Sequence, residues 1–340
     1  MAESHQPQSR CARLTRPPPP MKDMNNDNIT ENVKIINNQC ENARVRYIFE
    51  RLVTHLHDFV RETRLSSQEW MAGIDFLTAA GQISDDLRQE IILISDTLGV
   101  SLLVDAVNHP RAKGATEGTV LGPFHTHDAP VADSGYVLHS DETAPKLLVL
   151  ASVKDKAGNP ITNVTCDVWE GDGFGFYDVQ NPNRDHPDGR AVLHSDEEGL
   201  FHFVAVVPVP YPIPMDGPAG IMLTLLNRHP NRPGHIHFML RKKGYDPLVT
   251  ALYPRGDPYE TSDPVFGVKD TLIVDLGEVD ASLAQRYDVQ AGTKLLKYDF
   301  VLVEDSEALQ LREEESRAAL QKLGLHHLKM ENGLPVPDVD

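Results

Sequence analysis

Apolar positions fall into two regimes along the chain. From about residue 34 to 108 they recur at helical spacing. Val45, Ile48, Phe49, Leu52, Val53, Leu56 and Val60 form one stripe, with mostly polar and charged residues between them. Ser67 with Trp70 opens a second segment, and Asp75 to Gly81 carries a third patch. The run Asp85–Asp96 puts acids at the start of an expected helix, where the macrodipole favours them. Leu98, Val100, Leu102, Leu103, Val104 and Val107 extend another face, which Pro110 ends. These segments read as a helical bundle whose wide apolar faces could equally meet a second subunit.

From about 115 to 303 the pattern changes to short β-like runs separated by Gly, Pro, Asp and Asn. Lys146–Lys154, Val164–Trp169, Leu200–Val207, Gly234–Leu240, Thr271–Val274 and Lys297–Val303 are the clearest strands. Turn signals such as Ala157-Gly158-Asn159-Pro160 lie between them. Short strands at this spacing predict a sandwich or barrel. The expected division is a disordered tail over 1–33, a helical domain over 34–110, a β domain over 111–303, and a charged helix with a loose tail over 304–340. The fold class is therefore α+β: helices first, then an all-β sandwich or barrel.

Composition narrows the function. A net charge of -18 argues against nucleic-acid binding and against attraction to an anionic membrane. The three cysteines, Cys11, Cys40 and Cys166, fit neither a disulfide framework nor a zinc knuckle and suggest a reducing compartment. No apolar run approaches the ~20 residues that cross a bilayer, and the N-terminus lacks the apolar core of a secretory signal. A cytoplasmic location is expected.

Candidate chemistry centres on Asn231-Arg232-Pro233-Gly234-His235-Ile236-His237-Phe238. Strand alternation puts His235 and His237 on one face, where two imidazoles can grip one metal ion. His-x-His also occurs at His55–His57 and His125–His127, and such pairs are more often surface or core filler. Two tyrosines lie upstream: Tyr177 after the Gly-rich stretch 171–176, and Tyr211 in the proline-rigid segment 208–214. A tyrosine in such a place is ordinarily a packing residue. Phenolate is nonetheless a hard anionic donor that suits ferric iron.

The order Tyr177, Tyr211, His235, His237 resembles the intradiol ring-cleaving dioxygenases, non-haem Fe(III) enzymes that open catechol rings between the two hydroxyls. The resemblance covers roughly 45 to 303 and includes Phe76–Gln82, Ser95–Ser101, Leu121-Gly122-Pro123-Phe124, Asp167-Val168-Trp169 and Asp216-Gly217-Pro218. It implies an N-terminal helical linker that forms a homodimer, at times with a phospholipid in an apolar tunnel at the dimer interface, followed by a β-sandwich carrying one Fe(III) per subunit. By resemblance Tyr177 and His235 would be equatorial ligands, Tyr211 and His237 axial. Tyr211 would also leave the metal as substrate protons are taken up, and Arg232 would stabilise negative charge developing on the ring. The bland alternative for Arg232 is a surface ion pair, but its place two residues before the His strand predicts that it points inward.

One departure stands out. Many catechol-cleaving relatives carry Gln on the strand after the His pair, and Ala251 occupies that position here. Other details resemble the hydroxyquinol 1,2-dioxygenase branch, in which Leu77, Ala80, Val120, Gly122, Pro123, Phe124, Ile213, Pro214, Arg232 and Val265 would line the substrate pocket. Ordinary core and turn packing would also explain them. The implied reaction joins hydroxyquinol (benzene-1,2,4-triol) and O2 to give maleylacetate. The alternatives are catechol cleavage to cis,cis-muconate, a His-only Fe(II) or Zn(II) enzyme, and a non-catalytic dimeric binding protein.

Overall fold

The computed structural model describes residues 23–181, 183–325, 328–331 and 333–337. Five helices come first: α1 (Ile29–Asn37), α2 (Ala43–Thr63), α3 (Ser67–Ile83), α4 (Glu90–Thr97) and α5 (Val100–Asn108). Twelve strands and two helices follow: β1 (Tyr136–Val137), β2 (Lys146–Lys154), β3 (Thr165–Glu170), β4 (Arg190–His194), β5 (Leu200–Val206), β6 (Tyr211–Pro212), α6 (Pro218–Leu225), β7 (Asn231–Arg232), β8 (Ile236–Arg241), β9 (Leu248–Pro254), β10 (Ile273–Val274), β11 (Gly277–Glu278), α7 (Ala281–Tyr287) and β12 (Lys294–Val301). The chain closes with α8 (Asp305–Lys322), β13 (Leu328–Glu331) and β14 (Leu334–Pro337).

Two compact units result, one taking the described residues up to Ala72 and from Ala319 on, the other Gly73–Ala318. In the first, the Asn42 side chain accepts the Val45 amide at 3.0 Å and starts α2. Ser66 and Glu69 form a reciprocal capping box at the start of α3. Part of the expected 1–33 tail is ordered, because Thr30 of α1 bonds His57 at 2.9 Å and Arg61 at 2.7 Å. Residues 1–22 of that tail lie outside the described residues. The expected loose end is likewise corrected: β13 and β14 pair antiparallel, and Arg44 donates to the Pro335 carbonyl at 2.7 Å.

In the second unit, two five-stranded sheets face each other. Their strand orders are β1-β5-β2-β12-β11 and β10-β9-β8-β3-β4. Alternation sends Leu147, Val149 and Val153 of β2, Phe201 and Phe203 of β5, and Phe300 of β12 into the space between the sheets. There they meet Cys166 and Val168 of β3 and Ile236, Phe238 and Leu240 of β8. The second and third helical segments expected from the sequence are one helix, α3. The helix expected from Asp85 begins instead at Glu90, because the Asp85 carboxylate accepts the Leu87 and Arg88 amides and closes a turn. No helix among the described residues is long and apolar enough to cross a membrane.

Candidate active site

The residues singled out in the sequence meet on the face of the second sheet opposite the sandwich core. Ile236 and Phe238 point into that core, so His237 points away from it. In register, Trp169 on β3 and Ala251 on β9 flank His237, and the Trp169 ring lies flat on its imidazole at 4.7 Å and 5°. His235 stands just before β8, and its Nε2 is 2.9 Å from that of His237. The other ring nitrogen, Nδ1, donates to the Pro233 carbonyl at 2.8 Å, which leaves a lone pair on Nε2.

The tyrosines arrive from two separate connections. The Asp172 carboxylate accepts the Phe174 and Phe176 amides, folding the stretch before Tyr177 into a tight turn. Gly175 in that turn has φ +85°, and a Cβ there would lie 2.6 Å from the Cβ of Tyr211. Tyr211 is held by β6, which pairs with β7 so that Tyr211 and Arg232 are cross-strand partners. Tyr177 Oη is 3.5 Å from both His235 Nε2 and Tyr211 Oη. Two nitrogens and two oxygens therefore converge, and all four side chains are buried.

Burial sets the charge state of this cluster. It pushes His235 down to about 3, with Arg232 beside it adding to the shift. Burial and the neighbouring His235 hold His237 well below its ordinary range. Both imidazoles are thus neutral, the form that binds metal. Burial also raises Tyr177 well above its ordinary range, with Tyr211 adding to it, and raises Tyr211 against the opposing pull of Arg232. A phenol so placed gives up its proton to a base only when a strong local cation stabilises the phenolate. Among the described residues no group of three His, Cys, Asp or Glu side chains is placed to hold a metal ion, so the tyrosines are needed to complete a donor set. The other His-x-His pairs have other partners: His57 bonds Thr30, and His125, whose ring lies 5.2 Å from that of His127, pairs with Asp167 at 2.9 Å.

A cleft of about 420 Å³ lies beside this cluster, lined by Glu90, Leu93, Pro123, Phe124, Val179 and Pro214. Phe124 stacks on Tyr177 at 4.5 Å. Gly122, with φ +74°, has its Cβ position 3.6 Å from the His237 ring. Ala80 and Ile213 are buried with Leu93 in one apolar cluster, while Val120 and Val265 are buried, the latter donating its amide to Asp263 at 3.3 Å. Of the expected pocket residues, Pro123, Phe124 and Pro214 line the cleft itself, and Leu77 is 58 % exposed because Phe76 and Ala80 occupy the inward face of α3. The wall falls instead to α4.

Three further residues belong to the site. Asp263 grips Arg232 through two bonds at 3.1 and 3.2 Å. Tyr253 packs its ring on His235 at 5.2 Å. Asp96 is buried, its carboxylate faces the Ser101 hydroxyl without a well-formed hydrogen bond, and the charges acting on it are those of Arg232 and Asp263. Its position, one turn beyond the cleft residue Leu93 on α4, is the sequence signal that would have found it.

Comparison with known proteins agrees with this geometry. Residues 42–116 match the family described as the catechol dioxygenase N terminus, and 120–304 the family described as dioxygenase. An intradiol ring-cleavage dioxygenase of Aspergillus niger is 58% identical over 322 residues, which span 95% of this chain and 98% of that protein. A 6-chlorohydroxyquinol 1,2-dioxygenase of Cupriavidus pinatubonensis is 43% identical over 83% of this chain and 99% of its own. The structure of hydroxyquinol 1,2-dioxygenase from Pseudomonas putida superposes with a TM-score of 0.74 at 41% identity, covering 82% of this chain and 99% of that one. The two-domain order of helices and then sandwich, the tyrosine–histidine cluster and these matches lead to one conclusion: the chain belongs to the intradiol ring-cleavage dioxygenases, a family of iron-dependent oxidoreductases.

Proposed function

We propose that this chain cleaves hydroxyquinol with O2 between its vicinal hydroxyls to give maleylacetate, using one Fe(III) per subunit held by Tyr177, Tyr211, His235 and His237. The observation that carries this reading is the convergence of two neutral imidazole nitrogens and two phenol oxygens among buried side chains. Two hard anionic oxygens suit a trivalent iron better than a divalent ion. When bound, ferric iron supplies the electron-withdrawing centre that opens a chelated diol to attack by O2.

The protein's own side chains do the rest. Tyr211 Oη is the base that can take a proton from a substrate hydroxyl. Arg232 Nη1, 3.3 Å from that oxygen, stabilises the negative charge left behind. Pro123, Phe124 and Pro214 present apolar walls to an aromatic ring, and Phe124 also packs the Tyr177 ring in place. Two of the relatives named above, the 6-chlorohydroxyquinol and hydroxyquinol 1,2-dioxygenases, support a hydroxylated catechol as substrate. Within the chain, Asp96 supports the same choice, since a buried carboxyl whose oxygens make no well-formed hydrogen bond is an acceptor for a third hydroxyl. Catechol cleavage to cis,cis-muconate is the second reading, favoured by the absence of any polar atom on Ala80, Ile213 and Val265.

The open apolar faces on α2 and α5 support a homodimer through the N-terminal helices, and a phospholipid bound at that interface belongs to the same proposal. A cytoplasmic location accords with the buried free thiol Cys166 and the half-buried free thiol Cys40. The deciding experiment is the visible spectrum of the iron-loaded protein, before and after anaerobic addition of hydroxyquinol or catechol. A tyrosinate-to-iron band that moves to longer wavelength with hydroxyquinol, followed by faster turnover of that diol, is the expected result. Iron-replete but colourless protein overturns the ligand set.

A further inference from the structure

Arg232 is buried, and its planar guanidinium is used on two edges. Nε and Nη2 bond the two carboxylate oxygens of Asp263 at 3.1 and 3.2 Å. Nη1 lies 3.3 Å from Tyr211 Oη and 3.2 Å from His235 Nε2. A guanidinium is a rigid fork, so fixing one edge fixes the direction of the other. The carboxylate therefore decides where Nη1 points.

Asp263 is itself fixed by its own loop. Its Oδ2 accepts the Gly267 amide at 2.9 Å, its Oδ1 accepts the Val265 amide at 3.3 Å, and the Gly267 carbonyl accepts the Thr119 hydroxyl at 2.6 Å. To wrap the carboxylate this way, Phe266 adopts φ +61°, a left-handed conformation that bulky residues rarely take. The Arg228 guanidinium covers the Phe266 ring at 5.2 Å while bonding the Pro264 carbonyl at 2.6 Å. Strain held by several contacts around one carboxylate is the mark of a position that must not move. Ala251, opposite His237, offers no polar atom that could share the task.

We propose that Asp263 is the positioning residue for Arg232: its loop-caged carboxylate aims Nη1 at the atoms where substrate charge develops. The assignment rests on the electrostatic role given to Arg232 above. A buried ion pair kept only for stability is a weaker account, since such pairs often contribute little net stability.

The test is a double-mutant cycle in the iron-loaded, full-length protein, with Asp263→Asn, Arg232→Gln and the double variant. Asparagine keeps an acceptor for the loop amides but removes the second anionic bond. Asp263→Asn is expected to lower kcat by about 10–100-fold, with anaerobic hydroxyquinol affinity changed by less than about 3-fold. In the Arg232→Gln background the same change should cost less than about 3-fold. Fully multiplicative losses overturn the Asp263 assignment while leaving Arg232 its role. A silent Arg232→Gln removes both. If Asp263→Asn fails to fold, Asp263→Glu takes its place, and kcat within about 3-fold of the parent then overturns the proposal.

Discussion

At the residue scale, each donor in the cluster is biased by burial toward the protonation state that metal binding can exploit. The imidazoles are already neutral, while the phenols keep their protons until a cation arrives. The two tyrosines should therefore differ in consequence. Tyr177→Phe is expected to lose iron, whereas Tyr211→Phe should keep most of it and lose at least about tenfold in kcat, as general-base contributions require. Iron content by mass spectrometry, read with the visible band, checks this; equal iron loss in both would remove the separate role of Tyr211. Asp96 gives a second prediction. Burial pushes its carboxyl up to about 6, above the ordinary aspartate range. The native state thus binds the proton more tightly than the unfolded chain. The stability this adds is complete at acidic pH below the unfolded value, and it is lost as pH rises through about 6. Asp96→Asn should gain stability relative to the parent between pH 4.5 and 7.5, by about 3 kcal/mol at most, while losing preference for hydroxyquinol over catechol. Thermal denaturation across that range tests the first part, and a pH-independent difference in Tm would contradict it.

At the element scale, the site depends on where connections turn. The β3 strand ends at Glu170, and the tight turn after it carries Tyr177 back over the sheet, with Gly175 at φ +85° against Tyr211. Gly175→Ala adds a methyl 2.6 Å from the Tyr211 Cβ in a backbone region that L-residues avoid, so strain and clash act together. We expect a loss of about 1–3 kcal/mol and a displaced or weakened tyrosinate band. An unchanged spectrum would mean that the two tyrosines are not set by this contact. Trp169 tests the opposite wall. Its indole lies flat on His237, and truncation to Ala should cost about 3–5 kcal/mol by opening a cavity. Because the imidazole then loses its stacking surface, iron affinity should fall as well. Calorimetry and metal titration separate these two effects.

At the scale of the whole molecule, the sandwich supplies the closed core and the early helices do not. Val45, Ile48, Phe49, Leu52, Leu56, Phe59 and Val60 of α2 are 40 to 53 % exposed, and the homodimer proposed above rests on this apolar stripe. If a second subunit covers it, Phe49→Glu with Leu52→Glu should shift the species in sedimentation velocity from dimer to monomer. A parent protein that sediments as a monomer at micromolar concentration would refute the dimer proposal.

Much of this protein could be read from periodicity. The helical stripe of α2, the strand β2 at Lys146–Lys154 and the pair His235 and His237 on one face follow from spacings of 3.6 and 2, which are local properties of the backbone. The donor order Tyr177, Tyr211, His235, His237 was legible only through its resemblance to a family, because tyrosine has no ligand signature of its own. Strand β4 has a weak sequence signal because Arg190 and His194 bracket only three apolar residues. The start of α4 is not visible in the pattern because the Asp85 carboxylate competes for the same amides. What the tertiary structure alone decided is the company each residue keeps. Asp263 and Arg232, 31 positions apart, form a pair. Leu77 turns outward while Leu93 and Asp96 turn in. Such relations depend on how distant segments pack, and a sequence pattern carries no term for a contact between segments that pairing and burial bring together.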